Sequence, residues 1–226
     1  MNIKHYNLNS KSLAFKLFQI ICLICSLQLS AANFHAQVPV PGNVLEKQIT
    51  VSLQSVSVKD ALLYISGKSK VRIGFIGVIG DEGNKKVTLD IRQGSVRQVL
   101  NELITQVDSY KWDISNDIIN VLPTYCQNKV AALKIDFLEL SDKKLDEVGT
   151  AILDAPEVRI GITNMGVSKT EELKYSGAPR RSLVSIVLSN QTVREGLNEI
   201  ASKGFASFWS LEMRGEKNEF VRIMLY

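Results

Sequence analysis

The stretch SVRQVLNEL, Ser95–Leu103, decides the fold of this chain, because it returns as TVREGLNEI, Thr192–Ile200, 97 positions later. The match continues without gaps in both directions and covers residues 87–112 and 184–209. It places the only two tryptophans of the chain, Trp112 and Trp209, at equivalent positions. A repeat of this length indicates that the chain is an internal duplication, not that one helix resembles another.

Earlier residues repeat at a spacing of 87 positions, where the tetrapeptide VRIG occurs at 71–74 and again at 158–161. The change of spacing from 87 to 97 places an insertion of ten residues in one connection of the second copy. Two copies are too few for a solenoid, which needs about three repeats. The sequence therefore predicts two small domains of one kind.

The amino terminus has the layout of a cleaved secretory signal peptide. Three lysines and no acid precede an apolar run at 17–29, and the small residues 30–32 follow it. An uncleaved membrane anchor is the alternative, but the run is short for a span, which needs about 20 residues. We predict a signal peptide and a short mature tail over residues 1–36, with cleavage after Ala32 or after Ala36.

Composition excludes several classes of function. The chain has 27 basic and 23 acidic residues, and removal of the first 32 residues leaves 24 against 23, so charge gives no reason to expect nucleic acid or membrane binding. Only Cys126 remains in the mature chain, which excludes an internal disulfide. Both histidines, His5 and His35, lie outside the repeats, which excludes histidine-based catalysis and the usual zinc sites there. We predict no enzyme, no catalytic, cofactor-binding or metal-binding residues, and no cofactor.

Hydrophobic periodicity gives the same order of elements in both copies. Alternating apolar residues predict strands, and apolar residues spaced by three and four predict two amphipathic helices per copy, with Gly67 near the end of the first helix. Pro156 is expected to end the equivalent helix of copy two. The predicted class is α/β (α+β), as two tandem βαβ-βαββ domains, each a small mixed sheet with two helices. They span 45–123 and 131–226, with a linker at 124–130 and a long loop at 163–183.

Residues 49–122 resemble the secretin and TonB short amino-terminal (STN) domain. The matching features are an alternating strand (ITVSLQSV), a helix that opens with Ser-Val-x-x-Ala-Leu, the segment VTLDIRQGSVRQVLNELI, and a Tyr-x-Trp strand followed by DIINVLP. Copy two resembles the family only through copy one. No pore-forming secretin region or outer-membrane barrel follows the repeats in this sequence, in contrast to the family's larger members.

The resemblance implies a periplasmic protein-interaction protein without catalytic residues. It implies an accessory or regulator of an outer-membrane secretin or of a TonB-dependent transport or signalling system. The expected partners are envelope proteins, namely a secretin, a TonB-type receptor or an anti-sigma regulator. No membrane insertion is expected after signal cleavage, although association with the outer membrane is compatible with this role.

Two segments supply candidate partner-binding residues. The glycine-rich run GFIGVIG is better explained as an apolar turn than as a phosphate cradle, and exposure would make Ile76, Val78 and Ile79 a contact patch. The insertion of copy two is either functional or disordered. If it is functional, Tyr175 is a candidate anchor, and Arg180 and Arg181 are candidates to pair with carboxylates of a partner.

Two other functions stay open at this stage. A hydrolase that uses carboxylates alone would need two facing acids in a cleft, and the neighbours Asp81/Glu82 and Asp146/Glu147 are not brought face to face by their spacing. Trp112 and Trp209 are better explained by packing than by ligand stacking. The second alternative is a structural envelope protein without a dedicated ligand.

Overall fold

Each copy begins with a long strand that pairs with a strand far along the chain. The computed structural model describes residues 44–78, 85–124, 129–169, 183–214 and 220–226. The elements of copy one are β1 (Gln48–Ser57), α1 (Val58–Ser69), β2 (Arg72–Val78), β3 (Lys86–Ser95), α2 (Val96–Gln106), β4 (Tyr110–Ser115) and β5 (Ile118–Pro123). Those of copy two are β6 (Lys134–Lys144), α3 (Leu145–Asp154), α4 (Pro156–Asn164), β7 (Ser168–Lys169), β8 (Leu183–Thr192), α5 (Val193–Ser202), β9 (Phe208–Arg214) and β10 (Phe220–Leu225).

The first and third strands of each copy form a two-stranded antiparallel ribbon, β1–β3 in copy one and β6–β8 in copy two. Both ribbons contain residues with positive φ at equivalent places. Ser55 and Asp142 lie at breaks in the pairing register, and Gln93 and Asn190 form the second equivalent pair. The spacings of 87 and 97 positions are those of the sequence repeat, so the duplication extends to irregularities of the backbone.

The remaining strands form one six-stranded mixed sheet in the order β4-β5-β2-β9-β10-β7. Copy one supplies the first three strands, copy two supplies the last three, and parallel pairing of β2 with β9 joins them. The α+β class is therefore confirmed. The division into two domains stays a prediction, because the copies share this sheet within one compact unit that spans Pro41–Tyr226.

The two copies cover opposite faces of the shared sheet. Side chains alternate between the faces along a strand. In β2, Ile73 and Phe75 belong to the core of copy one, whereas Ile76 belongs to the core of copy two. In β9, Phe208 packs into the first core and Trp209 into the second. Each copy therefore buries apolar residues that the other copy supplies.

Helix starts follow the sequence closely. The side chains of Ser57, Ser95 and Thr192 accept hydrogen bonds from backbone N–H groups three residues later, as N-caps do. Gly67 does not end the first helix, in contrast to the prediction. The helix continues to Ser69, and Lys70 adopts the left-handed conformation beyond it, with φ of 56°. The buried hydroxyl of Ser69 donates to the Ile65 carbonyl and belongs to that last turn.

The repeated tetrapeptide VRIG forms different structures in the two copies. Val71–Gly74 leads into β2, whereas Val158–Gly161 lies inside α4, so the expected strand of copy two is wrong. Pro156 begins a helix as well as following one, because its fixed φ suits the first helical position. The residues after VRIG distinguish the strand from the helix. Phe75 continues an alternation with a period of two, whereas Ile162 continues the helical face begun by Val158.

Candidate interaction surface

The outer face of the β6–β8 ribbon exposes an apolar patch. Along β8, Val184, Ile186 and Leu188 are buried, and the alternate side chains point to solvent. Leu183 and Val187 on that outer face are 51% and 50% exposed. On β6, Phe137 is 60% exposed and pairs with Ser189, while Glu139 pairs with Val187. Phe137 and Val187 therefore lie diagonally across the two strands on one face of the ribbon. At that spacing their side chains are close enough to interact.

Copy one provides an internal comparison for this patch. The positions equivalent to Phe137, Leu183 and Val187 are Thr50, Lys86 and Asp90, and all three are exposed and polar on the outer face of the β1–β3 ribbon. Both ribbons keep the same bulge and the same supporting bond, which Thr88 accepts in copy one and Ser185 in copy two. The bulge at Ser55 and Asp142 is therefore common to both ribbons, whereas the register shift between Ile49 and Val51 occurs in copy one and not at the equivalent place in copy two. The apolar outer face is particular to copy two. We call Phe137, Leu183 and Val187 the ribbon patch.

Of the predicted contact patch in GFIGVIG, the structure describes the exposure of Ile76. Ile76 is buried, 3% exposed, because it lies inside β2 and packs into the core of copy two. The backbone of Val78 pairs with Met213 of β9, so this part of the run is a strand and not a turn. Ile79 lies outside the described residues. The expected exposure of Ile76 was wrong because β2 gains β9 as a neighbour, and a partner 135 positions away cannot be read from local periodicity.

The candidate residues of the long loop, Tyr175, Arg180 and Arg181, lie outside the described residues, and their predicted role stays a prediction. Sequence reasoning missed the ribbon patch, although a signal was present. Copy one reads KVTLDIR with strict alternation, whereas copy two reads LVSIVLS with apolar residues of both parities. The loss of the polar face in the copy-two strand, relative to the aligned strand of copy one, was the signal that indicated an exposed apolar surface.

The buried carboxylate of Glu212 joins the two copies on the face of the shared sheet that α1 of copy one covers. Glu212 of β9 accepts from Lys59 of α1 at 3.1 Å and lies 3.5 Å from Arg222 of β10. The Ser210 hydroxyl donates to it at 3.0 Å. Burial opposes ionisation, but the charge and hydrogen bond of Lys59, the charge of Arg222 and the Ser210 hydroxyl outweigh it and hold the pKa of Glu212 below its usual value of 4.5. The carboxyl is thus ionised at neutral pH and serves as an ionic link between the copies, not as a proton donor.

This link predicts a dependence of stability on pH. A carboxyl whose pKa is lower in the folded state binds fewer protons there than in the unfolded chain, so its stabilisation is complete above about pH 4.5 and is lost as the pH falls through the folded-state pKa. We expect the wild type to lose stability more steeply than Glu212→Gln between about pH 5 and pH 3. Urea unfolding at a series of pH values measures this, and parallel curves for the two proteins would contradict it.

The tryptophans show what the repeated NEL and NEI segments do. The indole N–H of Trp112 donates to Asn101 at 3.1 Å, and that of Trp209 donates to Asn198 at 3.0 Å. These are equivalent pairs, so the asparagine of the repeated stretch anchors the tryptophan of the next strand. Trp209 is fully buried, which agrees with packing and excludes ligand stacking in this state. Trp112 is half-buried on the first strand of the sheet.

Of the two acidic pairs, the structure describes Asp146 and Glu147. Asp146 and Glu147 occupy the first turn of α3, and Glu147 accepts the backbone N–H of Lys144, which caps the helix. Asp81 and Glu82 lie outside the described residues. In the described part of the chain no three histidine, cysteine, aspartate or glutamate side chains gather to hold a metal ion. None of the helices described there is long and apolar enough to cross a membrane.

Comparison with known proteins adds no assignment. No protein-family model matches the chain. No curated protein shows significant similarity to it.

Proposed function

We propose that this protein is secreted into the periplasm through a cleaved signal peptide and acts there as a protein-interaction protein. Its role would be that of an accessory or regulator of an outer-membrane secretin or a TonB-dependent transport or signalling system. The layout of residues 1–36 and the resemblance of residues 49–122 to STN domains support the location and the process. The apolar ribbon patch is the single observation that most supports partner binding.

The ribbon patch supports partner binding because the two copies differ at its positions. Exposed apolar side chains that share one face of a ribbon have a cost in solubility, and here Phe137 and Val187 are neighbours while Leu183 lies further along β8 on the same face. Here the aligned positions of the copy-one ribbon carry polar residues, so a paired ribbon of this kind does not require apolar ones. Contact with a partner explains why copy two keeps Phe137, Leu183 and Val187 at the positions of Thr50, Lys86 and Asp90.

Site-specific photo-crosslinking in cells tests the proposal. A photoreactive phenylalanine analogue at Phe137 should capture a secretin, a TonB-type receptor or an anti-sigma regulator, identified by mass spectrometry. The same analogue at the equivalent Thr50 of copy one is the matched control and should capture none of them. Capture of only cytoplasmic proteins, or equal capture from both positions, would refute the proposal. Sequencing the amino terminus of the periplasmic fraction tests the signal peptide separately.

Exchange of the ribbon patch for the residues of copy one gives a further prediction. We expect Phe137→Thr, Leu183→Lys and Val187→Asp together to abolish capture of that partner, while the free energy of unfolding changes by less than about 1.5 kcal/mol, because exposed substitutions cost about 0.5 kcal/mol each at most. Ile160 of α4 is 58% exposed and lies off the ribbon, so Ile160→Lys is the matched control and should leave capture unchanged. Loss of capture with Ile160→Lys alone would point away from the ribbon.

A further inference from the structure

The strand β4 offers the same backbone edge that β9 uses to join the two copies. The Ser109 carbonyl accepts from the Thr124 N–H at 2.8 Å, and the β4–β5 register continues from that pair. In an antiparallel pair the bonded residues alternate, so Trp112 and Ile114 direct their backbone N–H and C=O groups away from β5. No described strand pairs with that side of β4.

The equivalent residues of β9 have the same arrangement and are occupied. Phe208 exchanges two backbone hydrogen bonds with Tyr226, at 3.2 and 2.8 Å, so Trp209 and Leu211 direct their backbone groups away from β10. There β2 pairs with them in parallel, with Gly74 opposite Trp209 and Ile76 opposite Leu211. The chain thus contains a bound example of the strand that this kind of edge accepts.

Trp209 explains why a glycine stands opposite it. A Cβ on Gly74 would overlap the indole ring of Trp209, which lies across the neighbouring strand. Trp112 makes the equivalent hydrogen bond to its helix, from the indole N–H to Asn101, so its ring is held in the same relation to α2 as that of Trp209 to α5. A strand added beside β4 would therefore meet the Trp112 ring at the position that Gly74 occupies beside β9.

We infer that Trp112 and Ile114, on the side of β4 that faces away from β5, bind in parallel an extended strand of a partner protein that places a glycine opposite Trp112 and an aliphatic residue opposite Ile114. Backbone hydrogen bonds provide the affinity, and the ring over the glycine provides the selectivity. The inference rests on the proposed role in partner binding, but it concerns a surface separate from the ribbon patch.

A second copy of this chain is a poor occupant of the edge. Its own β2 is already paired on both sides, with β5 and with β9. The equivalent strand of copy two, β7, comprises two residues within the described part of the chain. Neither described strand that resembles the template is therefore available, and a strand from another protein fits better.

A peptide with the sequence of residues 71–77, VRIGFIG, labelled with fluorescein and extended with lysines for solubility, is the probe. Fluorescence anisotropy with the purified protein should give saturable binding. A peptide with valine in place of the glycine opposite Trp112 should bind at least about tenfold more weakly, because the added side chain meets the ring. Equal affinity of the two peptides, or no saturable binding of the first, would overturn the inference.

Two protein variants complete the test. In Trp112→Ala the ratio between the two peptide affinities should fall to about one, since the ring that discriminates them is gone. The fluorescence of the buried Trp209 verifies that this variant is folded, and a ratio unchanged from wild type would refute the role of Trp112. The ribbon variant with three substitutions should bind the peptide as the wild type does, so failure of one surface is distinguishable from failure of the other.

A dimer that the peptide dissociates would show that a second copy of this chain occupies the edge of β4, and would overturn the inference that another protein does.

Discussion

Replacement of Trp209 by alanine is expected to lower the free energy of unfolding by about 3–5 kcal/mol, whereas Trp112→Ala should lower it by about 1–2 kcal/mol. The two residues are equivalent in sequence and make equivalent hydrogen bonds to Asn198 and Asn101. They differ in burial, because β9 is inside the shared sheet and β4 is at its edge. The difference between the variants therefore measures what the junction of the copies adds.

Urea denaturation of both variants, followed by circular dichroism, measures this prediction. Trp209→Ala leaves a cavity in copy two and an unpaired Asn198 side chain, which is 1% exposed. The cost of a buried polar group without a partner therefore adds to the cost of the lost packing. Asn101 in copy one is exposed and stays solvated. Equal losses for Trp209→Ala and Trp112→Ala would mean that the copies do not bury Trp209 in the shared sheet in solution.

Gly74→Ala is expected to destabilise the protein by about 2–3 kcal/mol, although alanine normally suits a strand better than glycine does. The added Cβ would overlap the Trp209 ring, so either the ring or the β2–β9 pairing must shift. Gly67→Ala is the matched control, because Gly67 is exposed within α1 and has open space around its Cβ position. That variant should be about 0.5–1 kcal/mol more stable than the wild type.

A double-mutant cycle assigns the cost to the ring. In a Trp209→Leu background, Gly74→Ala should cost less than about 1 kcal/mol, because the leucine side chain can move away from the new methyl group. A cost that is the same in both backgrounds would place its origin in the backbone of β2 and would contradict the contact between Gly74 and Trp209. Denaturant midpoints with unchanged slopes are needed for the comparison.

Features that depend on a few neighbouring residues were predictable from the sequence. The N-caps at Ser57, Ser95 and Thr192 need only a side-chain oxygen and the next helical turn. Asn116 and Asp117 form the turn between β4 and β5 and both adopt positive φ, which asparagine and aspartate tolerate in a tight two-residue turn. The repeat itself required only comparison of the chain with itself.

The candidate site was less predictable, for a physical reason. Ile76 was expected at the surface and is buried, because its exposure depends on β9. Phe137 and Val187 lie on different strands and become neighbours only through the β6–β8 register. Exposure of a side chain is a property of everything packed around it, so it cannot be computed from the residue and its neighbours in the chain.

The sequence by itself determined the duplication, the order of elements in copy one and the α+β class, because hydrophobic period and capping act within a few residues. Tertiary structure alone decided that the two copies complete one sheet. Pairing of β2 with β9 brings together residues far apart in the chain, and its free energy comes from burial and backbone hydrogen bonds that exist only after both copies have folded.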